Sequence, residues 1–143
     1  MEFAVAVLLA ILIIHYPRKD GPARIKRRDG GCPIIDVTFN GAQEQEMLVD
    51  TGASKTSINK KMASDLNVEP VREGYFIMAS GKVEKFPIGF VKSIEVGGAK
   101  VDNLEVAIID SKEETGLLGQ NFFGKYDVTI KRDEIEFNEP LDK

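Results

Sequence analysis

Short runs rich in valine, isoleucine and phenylalanine follow one another through most of the chain, separated by turn-forming residues. Asn40-Gly41, Ser80-Gly81 and Gly97-Gly98 are dipeptides that favour tight turns between adjacent strands. The runs do not alternate with long helical patterns, as they would in a fold built from parallel β-α-β units. The pattern therefore predicts an all-β, mostly antiparallel domain. Strands are expected within residues 33–41, 45–49, 74–79, 82–96, 99–109, 126–130 and 134–137.

One or two short helices are expected within this β domain. The segment from Asn59 to Leu66 reads as a helix, and the Asn59 side chain can cap its first turn. A second short helical stretch is expected after Leu117-Leu118-Gly119, where the strand pattern breaks. A length of 143 residues suits a single domain with a real core. The domain itself is expected to span residues 32–138, followed by a polar tail at 139–143.

Residues 1–16 form a hydrophobic N-terminal segment, with twelve consecutive apolar residues from Phe3 to Ile14. A helix of this length spans about 18 Å, less than the bilayer core of about 30 Å. The segment lacks the basic start of a secretory signal and the polar face of a core helix. We expect a single-pass membrane anchor, and a cleaved signal segment is the open alternative.

Residues 17–31 are expected to be a basic tether between this segment and the domain. Six basic residues and one acid lie within residues 17–28, so the remainder of the chain is acidic. Positive charge beside a membrane segment tends to stay in the cytoplasm, which weakly favours a cytoplasmic domain and leaves its side open. The same run could contact anionic lipid or be a solvated linker. An acidic domain argues against nucleic acid as a partner.

The most informative stretch is "EMLVDTGASKTSI", in which an apolar run ends in a single carboxylate, Asp50. A carboxylate at the end of a buried strand needs a proton or a partner. Gly52 allows a backbone N–H to approach that carboxylate, and Thr51 offers a hydroxyl that can hold the loop. A second element, Leu117-Leu118-Gly119, places a glycine directly after two apolar residues. These features indicate a site built around Asp50.

Three motifs together resemble the retropepsin-type aspartic proteases, including their bacterial single-domain relatives. They are "LVDTGAS" at the end of the second predicted strand, the turn "ASGK", and "GLLGQNFFGKYDVTI" near the C-terminus. The resemblance extends over residues 34–137. It implies a retropepsin-like fold that forms one β-barrel half of an acid protease, and a two-fold homodimer.

The resemblance also implies a role for each motif residue. Asp50 would be the catalytic aspartate, Thr51 would lock two copies of the loop together, and Gly52 would permit the tight turn. Ala53 is typical of the retroviral type, whereas the two-lobed pepsins usually have a hydroxyl residue there. The remaining roles are a flap tip that closes over an extended peptide, at Ala79, Ser80 and Gly81, and a second loop-closing element, at Leu117, Leu118 and Gly119. The N-terminal segment and the polar C-terminal "NEPLDK" depart from the viral pattern.

The chemistry itself requires a second chain. Hydrolysis by carboxylates needs one ionised group to take a proton from water and one protonated group to polarise the carbonyl. Two carboxylates about 3 Å apart share one proton, as in the aspartic proteases generally. The chain has no second Asp-Thr-Gly, so the second carboxylate would come from another copy, with the site on the two-fold axis. No cofactor is needed.

Three other functions find less support. "GQNFFGKY" nearly matches a phosphate-binding loop, but Tyr126 replaces the small hydroxyl residue, and Phe122 and Phe123 read more simply as core residues. One histidine and one cysteine give no metal-ligand spacing, and His15 lies outside the domain, away from any Ser-His-Asp arrangement. The alternative that stays open is a membrane-tethered dimerisation or peptide-binding module on the same fold that does not cleave.

Overall fold

The computed structural model describes residues 21–141, and these residues form eleven strands and two short helices. The elements in chain order are β1 (Ala23–Arg24), β2 (Arg27–Asp29), β3 (Cys32–Phe39), β4 (Gln43–Val49), β5 (Thr56–Asn59), α1 (Lys60–Asp65), β6 (Arg72–Ile77), β7 (Val83–Val96), β8 (Ala99–Ile109), β9 (Gly116–Leu118), α2 (Gln120–Phe123), β10 (Asp127–Ile130) and β11 (Glu134–Asn138).

The strands form two sheets. The larger has the order β2-β3-β4-β9-β5-β8-β7-β6, and a further pairing of β3 with β7 closes part of it on itself. The smaller sheet has the order β1-β11-β10. Most pairings are antiparallel, whereas β4–β9 and β5–β8 are parallel. The predicted all-β, mostly antiparallel domain with one or two short helices is therefore confirmed.

The turn-forming dipeptides in the sequence predicted the positions of the hairpins correctly. Asn40 and Gly41 both have positive φ, 55° and 75°, as the two central residues of a type I′ turn require, and the Ala42 N–H closes this turn on the Phe39 carbonyl at 3.1 Å. Gly97 and Gly98 likewise connect β7 to β8 with φ of 56° and 85°. The Asn59 side chain caps α1, since its Oδ1 accepts a hydrogen bond from the Met62 N–H at 2.8 Å.

The core lies between the curved sheet and the two helices. Alternate residues of the strands supply most of it, and Ile35, Val37 and Phe39 of β3 are fully buried. Phe122 of α2 is also fully buried, and its ring packs edge-on against Phe137 of β11 at 6.0 Å between centroids. This contact joins the small sheet to the rest of the core.

The folded part begins earlier than the sequence indicates. Residues from Ala23 onward, expected to be tether, form β1 and β2, which pair with β11 and β3 respectively. Ala23 is buried, and the charges of Lys26 and Arg27 are paired with Glu46 on β4 at 2.7 Å each. The tether prediction is therefore wrong from Ala23 onward, because this segment forms strands of the domain and two of its basic side chains pair with an acid on β4.

The anchor expected at residues 1–16 lies outside the described residues. Across residues 21–141, the two helices are too short and too polar for either to cross a membrane.

Candidate active site

Asp50 follows the last residue of β4 at the centre of the larger sheet. β4 runs parallel to β9, and Val49 is opposite Leu118. The Asp50 N–H continues this ladder by donating to the Leu118 carbonyl at 3.2 Å. The predicted second loop-closing element therefore lies directly beside the aspartate, as the resemblance implies.

The loop after Asp50 folds back toward the carboxylate. The Gly52 N–H donates to Asp50 Oδ1 at 2.9 Å, and the Ala53 N–H donates to the Asp50 carbonyl at 3.2 Å. A Cβ added to Gly52 would lie 3.4 Å from Oδ1, an ordinary contact distance. The predicted approach of the Gly52 N–H to the carboxylate is thus observed. Within one chain, however, a side chain at position 52 would not clash with its neighbours.

The start of α2 holds the loop from behind. The backbone N–H groups of Gln120 and Asn121 donate to the carbonyls of Ala53 and Ser54, at 2.8 and 3.1 Å. The Gln120 side chain donates to the Thr51 carbonyl at 2.8 Å. Three loop carbonyls are thereby fixed by one short helix, which limits the positions that Asp50 can take.

Close approach of the two loops requires glycine at position 119. A Cβ there would lie 2.4 Å from the Lys55 carbonyl oxygen and 3.0 Å from that of Ala53. Both atoms belong to the backbone, so a side chain at Gly119 would force the loops apart.

A buried polar network completes the support. Thr56 is fully buried, and its hydroxyl donates to Asn121 Oδ1 at 2.7 Å and accepts from the Gly119 N–H at 3.1 Å. Asn121 Oδ1 also accepts from the Thr56 N–H, and its Nδ2 donates to the Glu105 carbonyl at 2.8 Å. One side chain therefore joins β5, α2 and β8 beneath the Asp50 loop.

A cavity of about 370 Å³ opens beside Asp50. Apolar side chains form much of its wall, including Phe76, Phe86, Ile109 and Leu117. Asp50 is half-buried in its wall, more exposed than a carboxylate at a buried strand end was expected to be. Asp50 is also the sole acid among the residues that line this cavity.

The β6–β7 hairpin lies over this cavity, and its turn contains the predicted flap residues. The Gly81 N–H donates to the Met78 carbonyl at 2.8 Å, and Gly81 has a positive φ of 85°. Ala79, Ser80 and Gly81 are exposed at the turn, and Ala79 also lines the cavity. The structure thus places these residues near Asp50, and their closure over a substrate stays a prediction.

Sequence reasoning missed part of the site. Lys55, Thr56, Gln120 and Asn121 support or line it, yet none belongs to the quoted Asp-Thr-Gly motif. The sequence offered one signal for Gln120 and Asn121, because they are two polar residues in a stretch whose other residues indicate a buried core. Phe122 and Phe123 are indeed buried core residues, which leaves no open loop there for a phosphate.

Comparison with known proteins agrees with this architecture. The family model described as gag-polyprotein putative aspartyl protease matches residues 35–125. No curated protein matches the chain. A solved structure, a retropepsin-like aspartic protease from Rickettsia conorii, has a TM-score of 0.63 and 22% identity over 82% of this chain and 91% of that chain. That likeness concerns the fold, while the family match spans more than half of the sequence. The chain therefore belongs to the retropepsin-like aspartic protease family.

Proposed function

We propose that the protein is an aspartic endopeptidase that hydrolyses peptide bonds with two Asp50 carboxylates, one from each subunit of a homodimer. The observation that carries this proposal is the placement of Asp50. It lies on a loop fixed by backbone hydrogen bonds, beside a cavity walled mainly by apolar side chains and covered by a hairpin. A binding module would have no use for a carboxylate held in this way.

Pairing of two chains would complete the site. The cavity has one acid, and the reaction needs two. Thr51 and Gly52 are exposed at the tip of the loop, although the rest of the loop is held by α2. We propose that this tip meets the same tip of a second copy across a two-fold axis, which brings the two carboxylates together.

The reaction then needs only these groups and water. The ionised Asp50 takes a proton from the water, whose oxygen attacks the scissile carbonyl carbon. The protonated Asp50 of the other subunit gives its proton to the carbonyl oxygen, and a tetrahedral diol forms. Breakdown of the diol transfers a proton to the amine and returns one proton to the carboxylate pair. An extended peptide would pair its backbone with the hairpin, whose closure excludes bulk water.

A mixing experiment tests both the residue and the pairing. Full-length protein should cleave peptides from a random library, and Asp50→Asn should lose at least about 100-fold in rate. Asp102→Asn, on the exposed outer part of β8, is the matched control and should keep full activity. In an equal mixture of wild type and Asp50→Asn, random pairing leaves about one quarter of dimers with two aspartates. Activity for each wild-type chain should then fall to about half.

Each outcome of this experiment distinguishes between a shared catalytic site, a one-chain site and a peptide-binding module. Undiminished activity for each wild-type chain in the mixture would show that one Asp50 suffices, which contradicts the shared site. Equal cleavage by wild type and Asp50→Asn would end the protease proposal. Absence of cleavage by either protein would support the peptide-binding module instead.

The pH profile provides a second test. Ala53 gives the carboxylate pair no hydroxyl donor, so its ionised form has less stabilisation than where a serine or threonine is present. We expect activity at mildly acidic to neutral pH. A sharp optimum near pH 2 to 3, in the range set by a strongly stabilised dyad, would contradict this reasoning.

We also propose that residues 1–16 attach the protein to a membrane, with the domain on the cytoplasmic side. The support is the uninterrupted apolar run from Phe3 to Ile14 and the basic residues that follow it. A chain starting at Gly21 keeps all described strands and is the suitable comparison. Full-length protein should float with phosphatidylcholine vesicles in a density gradient, and the shortened chain should not.

A further inference from the structure

One positive charge lies in the cavity beside Asp50. Most of the lining side chains are apolar or small, and the two charged ones are Asp50 and Lys55. Lys55 follows Asp50 by five residues and immediately precedes β5. Its side chain is 44% exposed. A peptide bound for hydrolysis at Asp50 therefore passes within reach of this ammonium group.

Lys55 is one of two cations that share a single carboxylate. Glu105 Oε2 accepts from Lys55 Nζ at 3.0 Å, and Glu105 Oε1 is paired with Arg72. The Glu105 side chain is only 18% exposed, against 44% for Lys55 and 52% for Arg72. The carboxylate thus lies inside, and the two cations lie outside. We call these three side chains, Lys55, Arg72 and Glu105, the Lys55 cluster, and their net charge of +1 faces the solvent.

The Lys55 cluster is held in place by the same network that supports the Asp50 loop. The Glu105 backbone carbonyl accepts from Asn121 Nδ2 at 2.8 Å, and β8 pairs with β5 immediately after Lys55. Lysine has three donors and arginine has five, so both cations keep donors for another acceptor. The chain as a whole is acidic, with a net charge of −4, so this local positive charge is opposite in sign to the net charge of the chain.

We infer that Lys55 makes the site select peptides that carry an acidic side chain near the scissile bond, together with an apolar side chain that fills the cavity. This inference rests on the proposed peptidase function. The simpler explanation is that Lys55 merely completes an ion pair with Glu105. In that case its replacement would affect stability and leave the choice of substrate unchanged.

Peptide competition distinguishes the two explanations. Peptides with apolar residues around one cleavable bond would carry Glu, Gln or Lys in turn at each of three positions on either side. At one of these positions, wild type should cleave the Glu peptide with a kcat/KM about 3- to 10-fold above that for Gln, because the contact is partly exposed. Lys55→Gln should bring this ratio close to one. Lys55→Glu should invert it and favour the Lys peptide.

Two controls separate specific from general effects. Lys61→Gln, on the exposed face of α1, removes an equal charge away from this cavity and should leave the ratio unchanged. Added salt should reduce the wild-type preference, because screening weakens a partly exposed contact. A wild-type ratio near one at every position would overturn the inference, and so would a preference that persists in Lys55→Glu.

A binding measurement keeps this inference separate from the proposed function. Asp50→Asn should bind the Glu peptide more tightly than the Gln peptide by a similar factor, measured by calorimetry. If wild type cleaves no peptide but Asp50→Asn shows this difference, acid recognition stands and the peptidase proposal fails. If cleavage occurs but neither protein distinguishes Glu from Gln, the peptidase stands and this inference fails.

Discussion

Replacement of Thr56 by valine tests whether the network beneath the Asp50 loop stabilises the fold. Valine has nearly the shape of threonine and replaces the hydroxyl by a methyl group. Thr56 is fully buried, and its hydroxyl both donates to Asn121 Oδ1 and accepts from the Gly119 N–H. The substitution therefore removes one hydrogen bond and leaves a buried backbone donor without an acceptor.

The expected cost follows from these two losses. A buried donor left unsatisfied costs about 1–3 kcal/mol, and the lost hydroxyl bond adds about 0.5–1.5 kcal/mol. Asn121 Oδ1 keeps the Thr56 backbone N–H as a donor at 2.9 Å, so no cost arises on its side. We expect Thr56→Val to lower the free energy of unfolding by about 2–4 kcal/mol, which shifts the melting temperature by roughly 6–15 °C in a domain of this size.

Thr56→Ser is the matched control, because serine keeps both hydrogen bonds and loses only the methyl group, at about 1 kcal/mol. Thermal unfolding should be followed at one fixed chain concentration, since the proposed dimerisation would make the melting temperature depend on concentration. Peptidase assays well below the melting temperature should show a larger fall in kcat for valine than for serine, because the network positions the Asp50 loop. Equal melting temperatures for the two variants would refute the reasoning.

Three further predictions concern elements around the site. Asn59→Asp keeps the acceptor that caps α1 but removes the Nδ2 donor to the carbonyls of Glu113 and Glu114. Amide hydrogen exchange should therefore accelerate in residues 110–115 and not in α1. Equal exchange rates in the variant and in wild type at residues 110–115 would contradict this. Arg27 and then Lys26 lower the pKa of Glu46 to about 2 by hydrogen bonding. The resulting stabilisation is present above about pH 4.5 and is lost as the pH falls toward 2, so Glu46→Gln should flatten the stability profile in that window, and an unchanged profile would argue against it. Phe122→Ala should cost about 3–5 kcal/mol in denaturant unfolding, and Phe122→Leu clearly less, because leucine fills part of the cavity that alanine leaves; equal costs would contradict this.

The elements that were predicted correctly are those fixed by local sequence. The turns at Asn40-Gly41 and Gly97-Gly98 need backbone conformations that few residues adopt, so the strands on either side follow from them. β1, β2, β5 and β9 were missed for the opposite reason. They have only two to four residues each, and β1 exists only through pairing with β11, more than a hundred residues later. The basic run at residues 24–28 resembled a linker because Glu46, the acidic partner of Lys26 and Arg27, lies on another strand.

The residues of the candidate site likewise differ in whether neighbouring sequence predicts them. Asp50 and Gly52 could be located from the motif, because a carboxylate, a following glycine and a preceding apolar run are neighbours in sequence. The roles of Thr56 and Asn121 could not, because the two residues are 65 positions apart and meet only after β5 and α2 have packed together. No sequence pattern singled out Lys55, which the structure places on the wall of the cavity and beside Glu105.

The support of the Asp50 loop also bears on how the proposed dimer would form. Leu118, Gln120 and Asn121 of the same chain hold the backbone of the loop by hydrogen bonds, and its tip at Thr51 and Gly52 is exposed. A single chain can therefore hold the loop in its final shape before it meets a second copy. Association then costs little further ordering of the loop, which favours pairing at low concentration. Weakening the internal support, as Thr56→Val does, should consequently raise the chain concentration needed for half-maximal activity. A variant that loses stability but pairs and cleaves at the same concentration as wild type would show that the loop takes its shape only in the dimer.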